Sequence, residues 1–136
     1  MKKIFSTYYS ASGFNLGTLA LRLLFGTLMF VNHGIGKLMH FEERRHTFYD
    51  PFQLGSQWSL SLVIFAEMFC SLLLVLGLFT RFALLPLIIT MGVVVFLVNQ
   101  GKPFEDYELS VLYLTVFFAL LLTGPGRFSI DAAISK

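Results

Sequence analysis

The chain has 136 residues, of which 56% are hydrophobic and only 13% are charged, and its formal net charge is +2. Soluble domains carry about 25% charged residues, so this composition cannot cover a water-exposed surface and excludes a soluble globular protein. The basic residues are scattered, without the run that a nucleic-acid-binding protein would show. Cys70 is the single cysteine, which excludes an internal disulfide or dithiol pair.

Four apolar stretches approach the length of about 20 residues that crosses a bilayer. Lipid offers the backbone no hydrogen-bonding partner, and none of the stretches alternates with a period of two, so each is predicted to be an α-helix. The predicted spans are 16–39, 59–78, 82–99 and 107–123. The short connections after the second and third spans favour antiparallel neighbours. The sequence therefore predicts one all-α domain over 1–136, an integral membrane four-helix bundle of antiparallel up-down spans with its termini on the same side.

The connection between the first two spans, residues 40–58, is long and rich in aromatic side chains, which predicts a segment at the membrane interface. Lys and Arg residues favour the cytoplasmic side of a membrane. They are more frequent on the side of the termini (Lys2, Lys3, Arg81, Arg127 and Lys136) than on the opposite side (Arg44, Arg45 and Lys102). Both termini are therefore predicted to be cytoplasmic, and the polar N-terminal tail is expected to remain uncleaved.

Ionisable side chains inside a membrane span are costly and usually face the interior of the bundle. Arg22, His33 and Lys37 lie on one stripe of the first span, since their spacings are close to whole helical turns. Glu67 lies near the middle of the second span, and Glu108 opens the fourth. A rise of about 1.5 Å per residue predicts that His33, Lys37, Glu67 and Glu108 converge in the outer half of the bundle. Arg22 lies nearer the cytoplasmic face, where it could reach towards Glu67 or extend to the interface.

These polar residues allow several functions. A histidine, a lysine and a carboxylate could bind a quinone, whose carbonyls need hydrogen-bond donors and whose reduction needs a proton donor. The same residues could serve a proton path or a small polar substrate, or could only fix the register of the helices. An intrachain bis-histidine haem is disfavoured, because His33 and His40 share one helix and His46 lies in the loop. No metal site is predicted, because too few ligands converge, and no cofactor other than a quinone is expected.

Six motifs occur in a fixed order along the chain. They are RLLFG at 22–26, HGIGK at 33–37, FAE at 65–67, LGLFTR at 76–81, YEL at 107–109 and GPGRFSID at 124–131. In this order they resemble the DoxX family, whose members are small four-span membrane proteins. The resemblance extends from about Leu16 to Asp131. It places the five candidate residues, Arg22, His33, Lys37, Glu67 and Glu108, on motif positions of the family.

The resemblance implies a bacterial inner-membrane protein that is a membrane subunit or anchor of a quinone- or sulfur-linked redox complex. The family is related to the membrane subunit of an archaeal thiosulfate:quinone oxidoreductase. A mycobacterial member is described as joining an oxidoreductase complex with a superoxide dismutase and a sulfurtransferase. The expected partners are the lipid bilayer, a soluble or membrane redox protein and a further copy of the chain; nucleic acid is not expected.

Catalysis is not implied beyond the role of an oxidoreductase subunit. One alternative is a non-enzymatic membrane scaffold or assembly factor, whose buried polar residues are structural. A small transporter or proton path is disfavoured, because the sequence predicts neither broken helices nor an inverted repeat.

Overall fold

The computed structural model describes residues 4–135, which form helices joined by turns, with no β-strand in that range. The helices are α1 (Ala11–Met39), α2 (Phe41–Arg44), α3 (Ser56–Leu76), α4 (Thr80–Val98), α5 (Glu108–Thr123) and α6 (Ile130–Ile134). The predicted all-α class is therefore confirmed. Lys2, Lys3 and Lys136, which contributed to the predicted orientation, lie outside the described residues.

Three of the described helices, α1, α3 and α4, are long and apolar enough to cross a membrane, with 29, 21 and 19 residues. The predicted fourth span corresponds to α5, which is apolar but has only 16 residues. Helix α1 begins earlier than the predicted boundary at Leu16. The hydroxyl of Ser10 accepts a hydrogen bond from the N–H of Gly13 at 2.9 Å, and such an N-cap satisfies a backbone donor that the helix cannot.

Two glycines of α1 allow α3 to pack closely against it. A Cβ atom at Gly26 would lie 2.7 Å from Cγ2 of Val75, and one at Gly34 would lie 2.9 Å from the carbonyl oxygen of Glu67. Small residues at such positions let two membrane helices approach. Along α1 the contacts run from Gly26 to Gly34, and along α3 they run in the reverse direction, from Val75 to Glu67. Gly34 and Glu67 therefore lie at the same level of the structure.

The apolar core lies where α1, α3, α4 and α5 meet. Its buried members include Met29, Leu74, Leu84, Leu87, Tyr113 and Phe117. Many large apolar side chains on the outer surfaces of the helices are exposed, among them Leu24, Phe82, Ile89, Phe96 and Leu122. Such a surface is unfavourable in water and favourable in hydrocarbon, which agrees with spans that have lipid as their solvent.

The guanidinium of Arg22 joins α1 to two distant parts of the chain. It is only 1% exposed. Its Nε donates to the carbonyl of Leu74 at 3.0 Å, and its Nη2 donates to that of Val75 at 3.1 Å. Its Nη1 donates to the carbonyls of Pro125 at 2.8 Å and Phe128 at 3.0 Å. Carbonyls in the last turn of a helix lack partners within that helix, so Arg22 satisfies the end of α3 and also fixes the C-terminal segment.

Gly77 ends α3 in the left-handed conformation, with φ of +73°. A Cβ atom here would lie 2.9 Å from Nη2 of Arg22 and 3.0 Å from Cα of Ser129. Only glycine therefore suits this position, for both its backbone conformation and its surroundings.

Asp131 connects the C-terminal segment to the start of α4. Its Oδ1 accepts from the N–H of Phe79 at 2.8 Å, and its Oδ2 accepts from the N–H of Thr80 at 2.9 Å. Burial alone would raise the pKa of Asp131, but the hydrogen bonds from Thr80 and Phe79 and the nearby charge of Arg22 outweigh it, so the pKa is lowered. We call Arg22, Gly77, Asp131 and the backbone of 124–129 the Arg22 cluster.

We predict that Arg22→Lys destabilises the fold by about 2–3 kcal/mol, because lysine cannot direct donors to carbonyls on both sides at once and leaves some unpaired. Thermal unfolding in detergent micelles measures this loss. Arg127→Lys is the matched control, since the Arg127 side chain is exposed and should tolerate the same change. Equal stability of the two variants would show that the Arg22 hydrogen bonds are not needed for the fold.

Candidate functional site

A buried ion pair joins α1 to α3. The ammonium Nζ of Lys37 lies 2.8 Å from Oε1 and 2.9 Å from Oε2 of Glu67. The Glu67 side chain is 2% exposed and that of Lys37 is 18% exposed. Both oxygens of the buried Glu67 carboxylate therefore accept from the Lys37 ammonium. A buried charge is tolerated only when it is paired and hydrogen-bonded in this way.

The local backbone explains how the two side chains meet. Met29–Gly34 in α1 and Phe65–Cys70 in α3 form wider π-helical turns, and these two segments contact each other. Turns of this kind are frequent at functional sites. Lys37 lies about one turn beyond Gly34, and helical side chains point back towards the N-terminus. The ammonium of Lys37 therefore reaches the level of Gly34, where Glu67 lies.

His33 packs against an aromatic residue of α5. The rings of His33 and Tyr113 meet edge to face, with centroids 5.5 Å apart and an interplanar angle of 88°. Tyr113 is 2% exposed and also meets Phe25 edge to face at 5.5 Å. Within residues 4–135, no hydrogen bond joins the His33 ring to Lys37 or Glu67. The structure therefore places His33 between α1 and α5, near the ion pair but not bonded to it.

The other two predicted residues lie apart from the ion pair. Arg22 neither pairs with Glu67 nor extends to the interface; its guanidinium donates to the backbone carbonyls of Leu74, Val75, Pro125 and Phe128. Glu108 is exposed in the first turn of α5. Among the described residues, no ion pair or hydrogen bond links the Glu108 side chain to the other candidates. Of the five predicted residues, the structure thus pairs Lys37 with Glu67 directly. It places His33 nearby, against α5.

A cavity of about 340 Å³ lies beside the ion pair. Lys37 and Glu67 line it, and most of the remaining wall is apolar. The wall is formed by α3, by α4 and by part of the 40–58 connection, and includes Phe48, Phe52, Val63, Pro86, Ile89 and Val94. Ligand sites are commonly concave, mostly apolar and supplied with a few polar groups. This cavity therefore has the character of a binding site for an apolar ligand with a polar head.

The connection is held over the cavity by hydrogen bonds. The hydroxyl of Ser59 donates to the carbonyl of Tyr49 at 2.7 Å. The carboxylate of Asp50 accepts from the N–H groups of Leu54 at 3.0 Å and Gly55 at 2.6 Å. The segment that the sequence predicts to lie at the interface therefore also forms one wall of the cavity.

The ion pair limits the chemistry that the cavity can accommodate. An ammonium has three N–H donors, and Glu67 accepts from Lys37 through both of its oxygens. The remaining donor capacity can serve a ligand. Because the pair is neutral overall, it favours an uncharged ligand with a hydrogen-bond acceptor over an anion. No group of three or more His, Cys, Asp or Glu residues that could hold a metal ion occurs in the described part of the chain.

The long apolar helices and their exposed apolar surfaces are those of an integral membrane protein. The sequence model of the DoxX family matches residues 17–100, which is more than half of the chain. The protein therefore belongs to the DoxX family, as the resemblance of its motifs indicated. No curated protein and no solved structure matches the chain.

We predict that Lys37→Met destabilises the protein by about 3 kcal/mol or more, because it leaves the Glu67 carboxylate buried without a partner. The double variant Lys37→Met with Glu67→Gln removes both charges and should recover part of that loss. Unfolding of both variants in the same detergent measures the difference. If the double variant is no more stable than Lys37→Met, the charge of Glu67 is not compensated by Lys37.

Proposed function

We propose that this DoxX-family protein is a membrane subunit of a redox complex and that the cavity beside Lys37 and Glu67 binds a quinone. The observation that supports this proposal is the mostly apolar cavity of about 340 Å³ with a buried, neutral ion pair in its wall. A volume of this size falls in the range of about 300–1,000 Å³ typical of small-molecule sites.

The chemistry of a quinone fits these walls. A quinone is uncharged, so it adds no net charge beside the Lys37–Glu67 pair. One of its carbonyl oxygens can accept from the Lys37 ammonium, while the ring and the start of its tail contact apolar residues such as Phe52, Val63 and Pro86. An acyl-chain anion of similar shape would leave the site with an uncompensated negative charge, which is costly in an apolar environment.

Reduction of a bound quinone also needs protons and electrons. His33 lies four residues before Lys37 on α1, and an imidazole titrates nearest to physiological pH. We therefore propose His33 as the proton source. Its ring packs against Tyr113 and does not line the cavity, so the proton would reach the quinone through Lys37, which does line it. Electrons would come from a soluble or membrane redox partner, since the chain itself is proposed to contribute the quinone site and the membrane anchor.

We predict that Val63→Phe, which fills part of the cavity, abolishes quinone binding. Binding is measured with a ubiquinone or menaquinone analogue added to the purified protein in detergent. Leu72→Phe is the matched control: Leu72 lies on the same helix, α3, but is exposed on the outer surface and does not line the cavity. Melting temperatures of both variants show whether the fold is intact.

A result in which Val63→Phe binds the quinone as well as wild type would contradict the assignment of this cavity. Wild-type protein that neither binds quinone nor copurifies with a redox partner would instead support the second candidate, a membrane scaffold or assembly factor. One observation favours this alternative. Lys37 satisfies Glu67, and backbone carbonyls satisfy Arg22, so each of these buried charges also has a structural explanation.

We further propose that α5 is a fourth span in an antiparallel four-helix bundle and that both termini are cytoplasmic in a bacterial inner membrane. With 16 residues, α5 is about 24 Å long. Helix α5 packs along α4 and contributes Tyr113, Phe117 and Leu120 to the common core. These contacts support an α5 that lies at the same depth as the other spans.

This topology places the 40–58 connection outside the cytoplasm. We expect a reporter that is active only in the periplasm to be active when it is inserted at Gly55. Gly55 directly precedes α3, and the proposed topology puts this end of α3 on the side opposite the termini. The same reporter fused after the C-terminus is the matched control and should be inactive. Activity in the opposite pattern would reverse the proposed orientation.

A further inference from the structure

Asn32 is a polar residue on the outer surface of a membrane span. It lies in the π-helical turn of α1, and its side chain is exposed. Within residues 4–135, the Asn32 amide makes no side-chain hydrogen bond, whereas the hydroxyls of two threonines in the other helices, Thr90 and Thr115, donate to carbonyls of their own helices. Asn32 therefore differs from them in lacking an intramolecular partner.

The contacts of α1 place Asn32 close to the middle of the membrane. Gly34 lies against the carbonyl of Glu67, and Glu67 is near the centre of the 21-residue α3, which is just long enough to cross the hydrocarbon. Asn32 precedes Gly34 by two residues, a rise of about 3 Å. Its exposed amide is therefore surrounded by lipid tails, far from either interface.

Lipid tails cannot satisfy an amide, so an unpaired Asn at this depth is unfavourable. Asparagine side chains in spans commonly form hydrogen bonds to another helix. Since Asn32 and Gly34 are about 200° apart around the helix, Asn32 points away from α3 and from the cavity. Since none of the described residues 4–135 pairs with it, we expect its hydrogen-bonding partner to come from another molecule.

We propose that the Asn32 face of α1 is the contact between two copies of this protein in the membrane. A carboxamide carries both donors and an acceptor, so two copies related by a two-fold axis can form a reciprocal amide pair, and such self-complementary contacts are the usual basis of homodimers. Gly36, one turn further along the same face, has no atom within 4 Å of its Cβ position. It leaves room for the backbone of a second α1 to approach.

The test measures association of the purified full-length protein in liposomes by energy transfer between copies labelled with donor and acceptor dyes, over a range of protein-to-lipid ratios. We expect wild type to dimerise and Asn32→Leu to weaken dimerisation by roughly 3- to 30-fold, the range that interhelical hydrogen bonds in membranes produce. Thr115→Val is the matched control. Thr115 is also exposed in a span, but its hydroxyl donates to Val111 at 2.8 Å, so its removal should leave association unchanged.

Crosslinking tests the location of the contact. With Cys70 replaced by Ala, a cysteine introduced by Gly36→Cys should form an intermolecular disulfide under mild oxidation. Gly92→Cys, at an equally open glycine of α4, should not. Wild-type protein that stays monomeric at all ratios would overturn the proposal, as would an Asn32→Leu variant that dimerises as strongly as wild type. Efficient crosslinking through Gly92→Cys but not through Gly36→Cys would also overturn it. An unchanged melting temperature of Asn32→Leu shows that any lost association is not a loss of fold.

Discussion

The absence of hydrogen-bonding partners in lipid is the constraint on which this structure depends. Backbone groups form hydrogen bonds with one another within helices. The polar groups that still need partners are therefore a few side chains and the backbone groups at the helix ends. Arg22 meets this need by donating to four backbone carbonyls. Lys37 and Glu67 meet it by pairing with each other. Both solutions connect α1 to α3, so the close contact of these two helices at Gly26 and Gly34 is what brings the partners within reach.

The two solutions leave different possibilities for function. In the Arg22 cluster, chain atoms surround the guanidinium, and the motif at 124–131 supplies carbonyls on one side of it and the carboxylate of Asp131 to the start of α4. This arrangement is suited to fixing the C-terminal segment against the ends of α3 and α4. At Lys37, the ammonium is partly exposed and borders a cavity. A ligand can therefore reach Lys37, whereas the Arg22 guanidinium is buried and four of its five N–H groups already donate to backbone carbonyls.

Much of this arrangement could be predicted from the sequence, because charged residues in apolar stretches are few and helical spacing fixes which side they occupy. The depth estimate from helical rise brought Lys37 to Glu67, and the structure shows that contact. The same estimate could not identify the partners of Arg22. Every residue has a backbone carbonyl, so the sequence does not mark which ones accept, and Pro125 and Phe128 are far from Arg22 along the chain. Tyr113 was missed since a tyrosine in an apolar helix resembles any other core residue; only the packing of α5 against His33 distinguishes it.

The cavity was beyond sequence reasoning for a related reason, since one of its walls comes from a connection whose fold depends on hydrogen bonds such as that of Ser59 to the backbone of Tyr49. The position of this wall also bears on whether a ligand site and a purely structural role for the ion pair exclude each other. A ligand in the cavity would contact α3, α4, the connection and Lys37 of α1, and any ligand that binds only the folded protein stabilises it. Binding at this site would therefore strengthen the same α1–α3 contact that the ion pair maintains. A structural role for Lys37 and Glu67 is thus compatible with a ligand site, because the contact that secures the helices also presents the remaining donor to the cavity.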